Sequence, residues 1–397
     1  MRISKKELLF YLSYIFLYLA LFLGDIGLSS AIHSIARVLR LSAYALIAVR
    51  IIFINFKSKD FITFIAILAL TLIYGIFTRD LYWSILTLYI NNAKEINQEK
   101  IIRISFNILM ICTVCVVLLC FAGVIPDVMT IRDTFTENVG HRHSFGFYHS
   151  NVLPLIILYL ESYYIMMKRE KVRVYEVMIF TVFSSVTYYF CDSRNAFYLT
   201  LILSFLVIVF KSMYYNKRIE STIYYAAKYS VVGMSLFSYA MMFLLLRGGI
   251  WDKVDGFFSG RFRLSIFKMR RIGLHLVNFM SNEDFFEDSI LYVNGSILDT
   301  VVLDNGYIYI ILRYGILLIL FYFVISFILA QKSKNNIFCL TTILVIFIAN
   351  FVDNDLVDYS FLPFILYAFA RFSLESGRNY NSMPIKMTHK KRKRIRI

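Results

Sequence analysis

Charge is scarce in this chain. Asp, Glu, Lys and Arg make up 17% of 397 residues, against 59% hydrophobic ones, and the mean hydropathy is +0.66. That balance excludes an ordinary soluble domain. Several runs approach or exceed the ~18 to 20 apolar residues that cross a bilayer as a helix. These runs do not alternate in polarity, which excludes the ten-residue strand pattern of a membrane β-barrel. Hydrocarbon offers no partners to backbone groups, so helices are the expected solution. A small-residue cleavage site is also lacking after the first apolar run, Leu8 to Leu23, so that run is expected to be retained as a span. No Walker A sequence is present, which weighs against an ATP-driven pump, and there is no HExxH. The connections on the expected cytoplasmic side are too short for a nucleotide-sugar domain. The five cysteines (Cys112, Cys115, Cys120, Cys191, Cys339) lie in or beside apolar runs and read as buried, inert thiols.

What charge there is has one dominant sign, with a formal net charge of +16. Most basic residues fall in short connections and in the tail His389 to Ile397. They set orientation by the positive-inside rule and meet anionic headgroups, so nucleic acid is not an expected partner. The resulting expectation is an all-α polytopic membrane protein of about twelve spans with both ends in the cytoplasm. Residues 1–246 hold spans one to nine, 247–304 a long extracytoplasmic loop, 305–373 spans ten to twelve, and 374–397 a basic cytoplasmic tail. Within the loop, Phe262 to Phe279 interleaves apolar residues with Lys268, Arg270 and Arg271, a pattern suited to an amphipathic helix on the membrane surface. Basic residues disfavour translocation, yet Arg142, Arg194 and the arginines of the 247–271 stretch fall on the expected outer face. That exception points to something anionic outside.

Polar punctuation on that face is concentrated in HRHSFGFYHSN (His141 to Asn151), CDSRNAF (Cys191 to Phe197) and LDNGY (Leu303 to Tyr307). Arginine's planar fork suits phosphate oxygens, and a nearby carboxylate or neutral histidine could deprotonate an attacking sugar hydroxyl. Each residue has a plainer explanation. A histidine at a helix end can be a solvated cap, Asp192 and Asp304 can be N-caps, and Arg194 can meet headgroups. Arg313 is harder to dismiss. It lies about 13 Å along its span, where a charge must face a wet cavity or a partner rather than lipid. The triplet Asp353-Asn354-Asp355 resembles a metal-binding DxD but falls on the wrong side for nucleotide sugars, so chance is the better account.

In these patches the chain resembles the O-antigen and capsular polysaccharide polymerases, the Wzy family, which is related to the O-antigen ligases. The family's arginine, GF and HPN stand as Arg142, Gly146-Phe147 and His149-Ser150-Asn151, with Ser150 replacing the proline. Its SR before a helix stands as Ser193-Arg194. The loop's GR and the DN-x-Y-like helix entry stand as Gly260-Arg261 and Asp304-Asn305-Gly306-Tyr307. The resemblance implies an integral-membrane, inverting, metal-independent glycosyltransferase without a cofactor, in the cytoplasmic membrane of a bacterium with its site outside. It would join undecaprenyl-pyrophosphate-linked oligosaccharide repeats among membrane lipids, with a chain-length regulator and a flippase as further partners. Arg142, Arg194 and Arg261 would hold pyrophosphate, and Asn151, Tyr307 and Arg313 are further substrate-binding candidates. His275, Asp304 and His149 are rivals for the base. A ligase or a lipid-linked oligosaccharide flippase are the alternative functions.

Overall fold

The computed structural model describes residues 4–27, 30–54, 58–132, 140–212, 217–258, 260–287, 290–293, 296–300 and 303–371. The expected basic tail and part of the 131–139 stretch lie outside them. The described chain is almost entirely helical. It begins with α1 (Lys5–Phe22), α2 (Ser30–Ile51), α3 (Ser58–Thr78), α4 (Tyr82–Ala93) and α5 (Gln98–Phe121). A small hairpin follows, β1 (Thr130–Arg132) with β2 (Gly140–Arg142). Then come α6 (Val152–Lys168), α7 (Val174–Cys191), α8 (Arg194–Ser212) and α9 (Lys217–Leu245). The polar segment contributes α10 (Ile250–Phe257), α11 (Arg261–Ile272), α12 (Asn282–Glu287) and a second hairpin, β3 (Ile290–Val293) with β4 (Ser296–Thr300). The chain closes with α13 (Gly306–Tyr314), α14 (Ile316–Ser333), α15 (Ile337–Val352) and α16 (Leu362–Phe369).

Among the described residues, eight helices are long and apolar enough to cross a membrane: α1 to α3, α5, α7 to α9 and α14. Their outward faces carry large apolar side chains, including Ile62, Leu70 and Ile76 on α3 and Val182 and Phe183 on α7. Contiguous apolar surface of that kind is stable against lipid, not water. The protein is a helical membrane protein. The remaining helices are shorter and more enclosed. In α15 all but two of its residues are buried, and α16 packs against α4, α5 and α14.

Two expected elements differ in shape. The amphipathic segment ends early. Gly273 terminates α11 with φ 80° and ψ 179°, which an L side chain rarely adopts, and residues 274–280 continue as non-helical chain with a bend at 276–277. That segment lies against the junction of α13 and α14. The Ile316 and Leu317 N–H groups donate to the His275 and Leu276 carbonyls (3.0 and 3.1 Å), and the Asn278 N–H donates to the Tyr314 carbonyl (3.1 Å). The junction is Gly315 (φ 100°, ψ 169°), which breaks the expected continuous span Gly306 to Ala330.

The two ends of the bundle are chemically distinct. At one, Arg50 is buried and donates to the Lys6 carbonyl (2.9 Å) and the Asn92 side chain (2.6 Å), with Glu95 at 3.4 Å. Nearby, Arg169 pairs with Glu99 (3.0 Å), and the Arg371 N–H donates to the Ile96 carbonyl (2.7 Å). The opposite end gathers the three polar motifs.

Candidate functional site

The His141–Asn151 motif is shaped by Asp127. Its Oδ1 accepts from the Ser144 and Phe145 N–H groups (2.8 and 2.9 Å) and its Oδ2 meets His143 Nδ1 (2.6 Å). Burial pushes the Asp127 carboxyl up, but the His143 bond and the two backbone donors outweigh it and leave the carboxyl below its ordinary range. The chain then reverses through Phe145 (φ 51°) and Gly146 (φ 90°). A Cβ on Gly146 would come within 3.1 Å of Ile125 and Val116, so this turn needs glycine for space as well as for φ. The turn bonds to the chain following α1. Gly27 donates to the Gly146 carbonyl (3.1 Å) and Tyr148 to the Asp25 carbonyl (3.0 Å).

This geometry fixes Arg142. Its guanidinium donates to the Asn151 side-chain oxygen (2.5 Å), to the Cys191 carbonyl (2.8 Å) and to the Asp192 carbonyl (3.4 Å). The first two polar motifs are therefore joined through Arg142. Asp192 is no N-cap. It ends α7 in the left-handed conformation (φ 47°) and lies 3.6 Å from Arg194, whose side chain is 56% exposed.

Arg261 joins the second motif to the third. It starts α11 just after Gly260 (φ 76°), in a turn closed by Asp255, whose Oδ1 accepts from the Phe262 N–H (3.0 Å). Phe262 packs on Phe351 of α15, which holds the start of α11 over the bundle. The Arg261 guanidinium lies 3.3 Å from Asp304 Oδ2 and 3.9 Å from Asp353 Oδ1. With the Asn195 amide turned oxygen-inward, it accepts from both terminal nitrogens of Arg261 (2.9 and 3.1 Å). Asp304 is not the helix cap either. Asn305 is, its side chain accepting from the Tyr307 and Ile308 N–H groups (3.2 and 3.1 Å). The Asp304 carboxylate is thereby left for Arg261.

His149 stands within electrostatic reach of Asp304 and of Arg142. Its Nδ1 accepts from the Asn151 N–H (3.1 Å), which holds the ring in the form with an unprotonated Nδ1. Burial, and then Arg142, lower the imidazole below its ordinary 6.5, with Asp304 opposing. Burial raises the Asp304 carboxyl above the usual carboxylate range, with Arg261 and His149 opposing. An imidazole and a carboxylate whose proton affinities are both shifted by burial thus lie beside two guanidiniums, a grouping of the kind that gathers at functional sites.

Three of the sequence candidates are placed elsewhere. The His275 Nε2 lies 2.9 Å from the Ile272 carbonyl, in the non-helical segment against Gly315. Such a nitrogen donates to the carbonyl, which orients the ring beside the α13–α14 junction and away from the Arg142–Arg261 group. Tyr307 is fully buried, and its hydroxyl donates to the Phe347 carbonyl of α15 (2.5 Å). Arg313 is buried as its depth demands. It donates to the Met280 carbonyl and stacks over the rings of Phe285 (5.6 Å) and Tyr314 (5.1 Å), apart from the Arg142–Arg261 group.

Several residues of the site were not singled out in the sequence. Asn195 was visible only as the residue after the SR pair. Asp353 and Asp355 belong to the DxD-like triplet read as chance, yet Asp353 reaches Arg261. Among the described residues, no group of three or more His, Cys, Asp or Glu is placed to hold a metal ion. The sequence matches no family model, and comparison with curated proteins and with solved structures gave no match.

Proposed function

We propose that this chain is a polysaccharide polymerase that joins undecaprenyl-pyrophosphate-linked oligosaccharide repeats at the outer face of a bacterial cytoplasmic membrane. The observation that carries the reading is the convergence of motifs far apart in sequence. Arg142, Arg194 and Arg261 gather at one end of the bundle beside Asp304 and His149. In this reading the shorter helices α4, α6, α15 and α16, with α13 extending α14, complete about twelve crossings, and the Arg50 end faces the cytoplasm.

The chemistry follows from the charges. The donor's pyrophosphate meets the guanidiniums, which stabilise the negative charge that grows as the bond between the anomeric carbon and the phosphate oxygen breaks. A hydroxyl of the incoming repeat attacks that carbon from the opposite face and so inverts it. Its proton passes to His149 or Asp304, and undecaprenyl pyrophosphate leaves. Direct displacement of this kind uses positioned charge and a base and needs no metal.

The test compares surface-glycan size in a deletion strain carrying wild type or Arg261→Ala. The expected result is single repeats in the deletion and in the variant, with long chains restored by wild type. Long glycan accumulating on its lipid carrier would instead indicate a ligase, and repeats held on the cytoplasmic face would indicate a transporter. The proton acceptor has its own signature. Protonation of His149 breaks its bond from the Asn151 N–H, so turnover should fall as pH drops through a midpoint below 6.5. The rate–pH profile of reconstituted protein checks this. A limb unchanged in His149→Ala would pass the base to Asp304.

A further inference from the structure

We infer that the anion site at Arg261 is proton-coupled: a pyrophosphate binds there together with one proton, and Asp353 is the group that takes it. The inference rests on the glycosyl-transfer reading above and adds a condition for binding the donor.

The geometry starts from a glycine. Gly306 opens α13 against the end of α15, where its N–H donates to the Asp353 carbonyl (3.2 Å). A Cβ at Gly306 would come within 2.8 Å of the Asn350 and Asp353 carbonyl oxygens, so a side chain at this position would force the two elements apart. The close approach brings Asp304, two residues ahead of Gly306, beside Asp353. One nitrogen of Arg261, Nη2, then lies 3.3 Å from the Asp304 carboxylate and 3.9 Å from that of Asp353. A single guanidinium is shared between two acids. The Asp353 side chain is the more enclosed of them, 17% exposed against 38% for Asp304.

The charges of this group do not balance. Two ionised carboxylates on one guanidinium leave it net negative, and a pyrophosphate is repelled. The neighbouring elements do not correct this. The start of α8 offers the neutral amide of Asn195. The turn after α15 adds the acid Asp355, within electrostatic reach of Asp353 and Asp304. His149 faces Asp304 but is uncharged above pH 6.5, since burial and Arg142 lower it. Protonating one carboxyl makes the group neutral. Asp353 is the suited one, being more enclosed and farther from the guanidinium. Burial raises its carboxyl to about 7, with Arg261 opposing and Asp304 adding to the rise. Asp304, nearer to Arg261, keeps its charge and remains a candidate base.

The linkage has a definite sign. A pyrophosphate on Arg261 places negative charge beside Asp353, which favours the protonated carboxyl. By reciprocity, protonation of Asp353 strengthens pyrophosphate binding by the same factor. Below about pH 7 the free protein already holds this proton. Above it, each pyrophosphate that binds draws one from solution, so affinity falls by up to about tenfold per pH unit.

The experiment uses the full chain in nanodiscs of neutral lipid. The probe is farnesyl-pyrophosphoryl-glucose, a short donor analogue whose pyrophosphate is substituted at both ends and does not titrate near neutral pH. Calorimetry at pH 8 in two buffers of different ionisation enthalpy counts the protons taken up, at a pH well above the range in which His149 titrates. Wild type should take up close to one proton per ligand, and Asp353→Asn close to none. Asp353→Asn should also bind up to about tenfold tighter than wild type at pH 8 and about equally at pH 6.5. Asp353→Ser gives the same comparison if the amide variant does not fold. A role for Asp353 in packing alone would weaken binding at both pH values. Binding without proton uptake in wild type, uptake that persists in the folded variant, or weaker binding by that variant overturns the inference and leaves the pyrophosphate site standing. Absence of saturable binding to wild type removes the pyrophosphate site and the inference with it.

Discussion

Arg261→Ala should lower polymer formation by about 10² to 10³, the range for removing one charged donor from a site that stabilises developing negative charge. The effect should exceed that of any other single outer arginine. Arg194 is half exposed with one acidic neighbour, whereas the Arg261 side chain is 10% exposed and reaches Asn195, Asp304 and Asp353 together. Its loss also leaves two neighbouring carboxylates without their cation, which disfavours a pyrophosphate further. Arg261→Lys should rescue poorly, because an ammonium cannot span three acceptors in the fixed fork of a guanidinium. Initial rates in reconstituted vesicles check this, with a thermal melt to show that the variants fold. Activity within about threefold of wild type in a folded Arg261→Ala would place the pyrophosphate elsewhere.

Gly315→Ala should be the most damaging single change away from the charged group. A Cβ there would sit 2.6 Å from the Leu276 carbonyl oxygen and 2.7 Å from the Val277 Cα, both backbone atoms that cannot swing aside. The conformation, φ 100° with ψ 169°, is also one that only glycine adopts without strain. Strain of this sort costs on the order of 1 to 3 kcal/mol, and overpacking adds about as much again. Gly249→Ala is the matched control, since its φ of 72° is positive but nothing lies within 4 Å of the added carbon. The expected result is a marked fall in the detergent melting temperature and folded yield for Gly315→Ala, and a lesser one for Gly249→Ala, which carries the strain without the overpacking. Equal melting of the two would mean that the segment 274–280 moves freely away from the α13–α14 junction.

Much of this architecture was legible in the apolar runs, since hydrophobic length alone locates a helix in lipid. The runs do not reveal where a helix breaks. Nothing in the hydropathy of Gly306 to Ala330 distinguishes Gly315 from a tolerated helical glycine, because the break is imposed by chain from residues 274–280. The candidate site was partly legible for the same reason. Arg142, Arg194, Arg261, His149, Asn151 and Asp304 stand out as polar residues beside apolar runs, and they do fall at one end of the bundle. The misplaced candidates are tertiary effects. Tyr307 reads like its polar neighbours, but helical periodicity turns its hydroxyl to α15, and His275 is consumed by a local carbonyl. Asp355 illustrates the converse. Its DxD-like setting read as chance, and only the fold brings it, buried, within electrostatic reach of Asp25 and Asp304.

The shortness of α16 has a consequence for how a bilayer can be crossed. Its eight residues rise only about 12 Å, while its end is tied to the start of α5, a helix of 24 residues or about 36 Å. Set in a hydrocarbon layer about 30 Å thick, α16 would account for less than half of the depth. The rest would fall to the turn after α15, whose backbone groups lie outside any long helix and so depend on side chains of the surrounding helices, such as the Tyr322 hydroxyl on the Leu356 carbonyl (2.6 Å) and the Tyr163 hydroxyl on the Ser360 carbonyl.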